Sequence, residues 1–475
     1  MQENISSMKS LSSWWSQLRE LMYVAGPLIL SSGCWTLELA VDRMFLSWYH
    51  PLAVGAAVQS AMIFWAIFVL PHNGVSYVTT FVAQYHGAGK EEREGPVVWQ
   101  ALYVALLSGV AFLVLVPLAP TIVDWLGHDE RMRQWEREYL ICLAFSALPT
   151  LLTAAVSGFF AGRGETWTVL GINLMGVVVN LVFDYVLIFG LWGFPELGVF
   201  GAGLATVLAA VISNLAGLIW FWRRRYREEC KTWEGRRLDL PLLRRLLRYG
   251  VPAGLQWWFD SLAWTAFLIV IGWVGEIELS ATSVAFAINT VAFVPMLGLG
   301  QAVNILVGQH LGENRPQSAE RLTWTGFAVT WLYMSAVGGL YFWTPHVFAD
   351  WFYLVGPQRP EDHHLQRAVY ELTCWLLRFV AFYCLFDSMN IVFASALRGA
   401  GDTVYVTWVS AGLALPLLII PSWLAWYCHW GLEVAWSFAT GYVIVLALVF
   451  LHRFLRGTWQ TMRVIEPSYV TAESA

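Results

Sequence analysis

In the segment NLVFDYV, Asn180 and Asp184 stand four residues apart, so a helix presents both side chains on one face. An amide oxygen beside a carboxylate can hold a small hard cation such as sodium. The same pair can hold a proton, with the amide supporting the neutral acid. A third reading is a helix–helix hydrogen bond made by a permanently protonated Asp184. Glu38 and Asp42, one turn apart in ELAVD, form a second acidic pair. Asp42 also reads as an interfacial residue, and Glu38 as a side chain that lines the same cavity or snorkels to water. Asp260 in WWFDSLAW and Asp387 in CLFDSMNI are acids inside apolar runs, each either a site or an internal hydrogen-bonding group. His72 beside Pro71 reads as a packed neutral imidazole. Arg378 reads as a cation that pairs with an acid or snorkels.

These acids need a reason, because the elements that carry them are built for lipid. Hydrophobic residues make up 58% of the 475-residue chain and charged residues only 13%, about half the share usual in soluble domains. Low charge and 16% aromatic content also exclude disorder. Twelve apolar segments follow one another at 21–47, 54–85, 96–119, 138–160, 168–190, 202–222, 249–274, 280–308, 322–344, 370–397, 405–426 and 434–452. Each reaches the roughly 20 residues that a helix needs to cross the hydrocarbon core. Alternating strand patterning is absent, which argues against a β-barrel. An ionised side chain at the bilayer centre costs about 2.5–3.5 kcal/mol even on lenient insertion scales. A carboxyl held there keeps its proton until a cation comes near, and so exchanges one for the other. That exchange is the chemistry of an antiporter.

With both termini cytoplasmic, the inner segments hold 21 of the 28 Lys and Arg, and ten of these fall between Arg223 and Arg248. This is a positive-inside pattern. The same stretch separates two repeats. LRELMYVAGP at 18–27 matches LRRLLRYGVP at 243–252, and Gln84-Tyr85-His86-Gly87 falls on Gln309-His310-Leu311-Gly312, both at an offset of 225. GRGET at 162–166 resembles GAGDT at 399–403, at an offset of 237. Two six-helix halves in parallel orientation are a transporter architecture, with the substrate path between them. The expected organisation is an amphipathic cytoplasmic segment at 1–20, an N-lobe at 21–222, a basic linker with an amphipathic helix at 223–248, a C-lobe at 249–455 and a cytoplasmic tail at 456–475. Both amphipathic segments are expected to lie on the inner leaflet.

Pro27 in span 1 and Pro252 at the start of span 7 occupy equivalent repeat positions; each either permits a bend or fixes a helix start. Of the 28 Trp, most are read as interfacial anchors, while Trp35, Trp257, Trp258 and Trp264 are placed to stack on cationic aromatic compounds. The six scattered Cys show no CxxC or Cys/His cluster and read as core residues. A membrane enzyme would need a nucleophile–base pair, a metal cluster or a cofactor motif; none is present, and no cofactor is expected. The net charge of −5 points to no nucleic-acid partner.

Several of these motifs resemble the multidrug and toxic compound extrusion (MATE) transporters, over roughly residues 18–455. They are AVDRMFLSW, FVAQYHGAGK, NLVFDYVLIFGLWGFPELGVFGAGLAT, GVPAGLQWWFD, LVGQHLGENRPQSA and DSMNIVFASALRGAGDT, in that order. The resemblance implies an all-α integral membrane protein of twelve transmembrane helices in two pseudo-symmetric lobes. It implies an antiporter of the cytoplasmic membrane that exports organic, often cationic and amphipathic compounds against protons or sodium. By the same resemblance, Asp42, Asn180, Asp184 and Thr206 correspond to the N-lobe cation site, with Tyr139 an aromatic near that cavity and Pro27 the proline of span-1 bending. Asp260 falls where relatives often carry Glu, one methylene longer, and Asp387 matches the span-10 acid. A sodium ion, if that is the coupling ion, is expected at Asp42, Asn180 and Asp184, and Glu38, Tyr139 and Trp257 are candidates for the substrate cavity. The expected partners are small organic molecules and the bilayer, with a monomer as the working unit. A lipid-linked sugar flippase of the same superfamily is the alternative. It should line its cavity with basic residues for pyrophosphate, and the spans here are poor in them.

Overall fold

The computed structural model describes residues 2–355 and 363–466, with side chains for 14–350 and 366–466. The tail beyond Glu466 and the loop cation Arg359 lie outside the described residues. The N-terminal half comprises α1 (Gln2–Tyr49), α2 (Pro51–Ser76), α3 (Val78–Gly87), α4 (Glu94–Phe112), α5 (Leu115–Asp124), α6 (Glu130–Gly162), α7 (Thr166–Phe189) and α8 (Gly198–Phe221). The linker carries α9 (Arg224–Glu229). The second half comprises α10 (Leu240–Val274), α11 (Glu276–Gly312), α12 (Pro316–Trp343), α13 (Pro345–Val355), α14 (His363–Ala400), α15 (Thr403–Ala414), α16 (Ile420–Tyr427) and α17 (Leu432–Leu455).

Eleven spans among the described residues are long and apolar enough to cross a membrane, α2 with α3 and α15 with α16 each counting as one. The twelfth is α12, whose 28 residues are long enough but diluted by Thr, Ser, Gly and Trp. Local chemistry sets the helix limits. The His50 ring accepts the Leu52 N–H at 3.2 Å and Pro51 opens α2. Asp239 caps α10 ahead of Pro241, and Gly190 ends α7 in the left-handed region at φ +68°. A single π-turn at Leu415–Ile419, which contains Pro416, joins α15 to α16.

One expectation is corrected. The amphipathic segments 1–20 and 240–248 are not separate helices lying beside the spans. Each runs without a break into the span that follows, as α1 and α10. Neither Pro27 nor Pro252 interrupts its helix.

The repeat is visible in the packing. In the first half α6 packs on α2, α4 and α8, and α1 packs on α7. In the second half α14 packs on α11, α12 and α17, and α10 packs on α15. The lobes meet through α1 with α11 and α2 with α10, two pairs that the repeat exchanges. Their hydrogen bonds run from the end bearing the basic linker to mid-depth. Tyr77 donates to the Arg398 carbonyl at 2.8 Å, Thr80 to Asn304 Oδ1 at 3.0 Å and, farthest from that end, Trp258 to the Ala66 carbonyl at 2.9 Å.

The linker is docked by charge. Arg163, at the end of α6, reaches Glu94 at 2.5 Å, and both side chains are buried. Glu165 lies 3.3 Å from the same guanidinium and accepts the Tyr226 hydroxyl of α9 at 2.5 Å. A buried cation requires such partners.

Candidate functional site

Three elements of the N-lobe converge on one polar pocket. Asp42 lies on α1, Tyr139 on α6, and Asn180 and Asp184 on one face of α7. All four are buried: Asp184 is 0% exposed, Asn180 1%, Tyr139 5% and Asp42 7%. The Tyr139 hydroxyl donates to Asp42 Oδ2 at 3.2 Å. The remaining oxygens are unusual. Asp42 Oδ1, both carboxylate oxygens of Asp184 and Asn180 Oδ1 are buried and have no hydrogen-bond partner among the described residues. Buried polar groups are nearly always paired, and each orphan costs about 1–3 kcal/mol. Asp42 and Asp184 lie within electrostatic reach of each other and Asn180 shares the Asp184 helix face, so these unpaired oxygen acceptors can serve as ligands for a proton or a small hard cation.

Glu38 lies one turn below Asp42 on α1, partly exposed, and within electrostatic reach of both Asp42 and Asp184. It has no hydrogen bond or ion pair among the described residues. Thr206, on α8, is partly buried and donates to the carbonyl of Ala202 on its own helix at 3.2 Å. Arg43, next to Asp42, is exposed.

The C-lobe acids are arranged differently. Asp387 on α14 is buried and accepts from Asn390 Nδ2 at 3.2 Å. Asp260 on α10 is partly exposed and lies within electrostatic reach of Asp387 and of Arg398. The Arg398 guanidinium stands 5.7 Å over the Trp257 ring and donates to Ser395 at 3.1 Å. Trp257 is thus a neighbour of a protein cation, which satisfies the cation–π geometry internally. Tyr442 of α17 lies within reach of both C-lobe acids.

By sequence Arg398 is one of the basic residues of the inner segments; in the structure it is an internal counter-charge within reach of Asp260. The signal was available. Arg398 follows Asp387 by eleven residues, three helical turns, on the same face. Gln256 is a second omission, one turn before Asp260, with its buried Oε1 unpaired.

The other candidates fall outside both clusters. His72 packs among aromatic rings, 5.4 Å from Phe68 and 6.0 Å from Trp65. Arg378 is exposed. Trp35 pairs with Trp65 at 6.0 Å, and Trp264 with Phe286 at 5.6 Å. No three His, Cys, Asp or Glu side chains among the described residues are grouped to hold a metal ion, so a bound cation would depend on the two N-lobe acids with Asn180.

The sequence and the fold have counterparts among known proteins. The sequence model of the family described as MatE matches residues 27–186 and 252–424, one segment in each lobe. A multidrug resistance protein NorM of Burkholderia vietnamiensis is 26% identical over 434 residues, 90% of this chain and 91% of the relative. A probable multidrug resistance protein NorM of Bradyrhizobium diazoefficiens is 29% identical over 388 residues, 81% of each chain. Among solved structures, a multidrug resistance MATE family transporter of the MOP superfamily in its outward-facing conformation superposes with a TM-score of 0.84 at 20% identity. That superposition covers 94% of this chain and 97% of the other. A MOP superfamily transporter from Pyrococcus furiosus superposes with a TM-score of 0.82 at 20% identity, covering 93% and 96%. The two-lobed fold, its repeated packing and the family match agree: this chain is a multi-pass membrane protein and belongs to the MATE family of transporters.

Proposed function

We propose that this protein exports organic cations across the cytoplasmic membrane in exchange for protons or sodium. The two lobes open alternately to the two sides, and the coupling ion binds in the N-lobe. The observation that carries this reading is the set of unpaired buried oxygens on Asp42, Asn180 and Asp184, none of which forms an ion pair or hydrogen bond among the described residues. A site of that kind is filled by an ion from outside the chain. When the ion leaves, the acids recover their charge and favour an organic cation in the same lobe. The NorM names of the relatives support drug extrusion as the physiological direction.

In this reading the linker end faces the cytoplasm, as the distribution of Lys and Arg requires. The lobe-to-lobe hydrogen bonds at that end then correspond to an outward-facing state. Parting of α3 from α11 and α14 would open the path inward. The C-lobe acids play a secondary part, because Arg398 already supplies a positive charge beside Asp260. That same juxtaposition disfavours a flippase, since a pyrophosphate lipid would meet more acid than base. The protein works as a monomer and carries no cofactor besides the coupling ion.

The test is efflux of a fluorescent organic cation from proteoliposomes with imposed proton and sodium gradients, each varied alone. One gradient should drive efflux; if neither alters flux, the antiport reading is wrong.

A further inference from the structure

The strands of contact at the linker end include one that belongs to neither set of spans. After α17 the chain turns back at Gly457, which has φ +70°, and Trp459 packs fully buried on Phe454 with ring centroids 4.8 Å apart. Gln460 donates to Glu320 of α12 at 3.0 Å, so the start of this segment is fastened to the C-lobe. It then crosses the seam. Val464 and Ile465 are buried, at 1% and 8% exposed. The backbone N–H of Val464 donates to Gln84 Oε1 on α3 at 2.8 Å. The Glu466 carboxylate accepts the Tyr85 hydroxyl, again on α3, at 2.9 Å, and it also accepts Arg245 at the start of α10. Lys90 donates to the Glu466 carbonyl at 3.5 Å.

Gln84 is the pivot. Its amide nitrogen donates to the Gly399 carbonyl of the C-lobe at 2.9 Å while its amide oxygen holds the tail, so both ends of one fully buried side chain are committed across the seam. The repeat-related bond, Gln309 Nε2 to the Gly162 carbonyl at 2.8 Å, carries no tail contact among the described residues. The repeat therefore builds two equivalent fastenings between the lobes, and the tail reinforces one of them. Gly401, at φ +105°, leaves the room that Val464 occupies; a side chain there would collide with it.

We propose that the segment Met462–Glu466 is a latch: it rides on the C-lobe, grips α3 of the N-lobe through Gln84 and Tyr85, and must let go before the lobes part at the linker end. The position of this latch sets how readily the transporter leaves the conformation seen here. The inference presupposes that the lobes part at that end, but its test does not depend on transport.

Hydrogen exchange measured by mass spectrometry on the full chain in lipid nanodiscs tests it, with Glu466→Ala and Tyr85→Phe. Glu466→Ala should accelerate exchange about tenfold at 78–87 and, across the seam, at 303–312. Tyr85→Phe leaves the tail sequence intact and should act in the same places, less strongly. Acceleration confined to 457–466, or none, in both variants overturns the latch. If Glu466→Ala loses protection throughout α6–α8 as well, the variant has unfolded and Tyr85→Phe decides. Faster exchange at 303–312 then upholds the latch, and unchanged exchange there overturns it.

Discussion

Gln84 donates its side-chain amide across the lobe seam to the carbonyl of Gly399 at 2.9 Å, and the repeat returns this bond in reverse from Gln309 to Gly162 at 2.8 Å. The glycines nearby follow the same symmetry. A Cβ at Gly87 would run into the Gln309 backbone, and one at Gly312 into the Gln84 carbonyl.

Gly87→Ala and Gly312→Ala should therefore loosen the same contact from opposite sides. Overpacking of this kind costs about 1–3 kcal/mol. Both variants should lower the thermal midpoint of the purified protein by similar amounts, while Gly26→Ala, which meets open space, should not. A large effect of Gly87→Ala with none from Gly312→Ala would contradict the reciprocal seam.

Pro27 lacks the N–H that would pair with the Tyr23 carbonyl, so α1 has a weak point below the acids. Gly26 and Gly33 beside it leave free space for movement. Pro27→Ala should hold or raise thermal stability while slowing transport about tenfold or more, because the stiffened helix no longer bends. Unchanged turnover in proteoliposomes would remove α1 bending from the cycle.

The latch has a definite pH dependence. Burial pushes the Glu466 carboxyl up, but its own backbone N–H, the Tyr85 hydroxyl and Arg245 outweigh this and hold it below the ordinary carboxylate range. The groups around it are Tyr85, Arg245 and Lys90, with Arg93 near Tyr85. A carboxyl with a depressed value contributes stability above its ordinary range and loses it as pH falls through the depressed value. Protection at Val464, corrected for intrinsic exchange, should hold from neutral pH to the ordinary carboxylate range and fall only below it. Loss already at mildly acidic pH would contradict the geometry.

The N-lobe and C-lobe acids should differ in rank. Asp387→Asn keeps a hydrogen-bonding group beside Asn390 and leaves Arg398 with Asp260. It should lower gradient-driven efflux by a fewfold, well short of the loss expected on neutralising Asp184. The reverse order would move the coupling site to the C-lobe.

Much of this was legible in the residues because it is local or periodic. Asn180 and Asp184 share a helix face by spacing alone, and the Gln-Tyr-His-Gly and Gly-Arg-Gly-Glu-Thr repeats mark the residues that later clasp the lobes. What escaped depends on long-range contacts or on orientation. Glu466 meets Tyr85 across 381 residues, which no pattern announces. Arg398 reads as a surface cation until α14 turns it toward Asp260. The hydroxyl of Thr206, which the resemblance places with the acids, donates to the Ala202 carbonyl of its own helix, as Ser and Thr in apolar helices often do. The breakless course of α1 and α10 was missed because amphipathic and apolar stretches differ in composition but share one helical period.

In the proposed cycle the unpaired carboxylate of Asp184 carries the coupling ion. Gradient-driven efflux of an organic cation from proteoliposomes, compared for the wild-type chain and Asp184→Asn at matched incorporation, tests it most directly. Asp184→Asn should reconstitute normally and show no response to the gradient that drives the wild type. A variant with full gradient-driven efflux would contradict it.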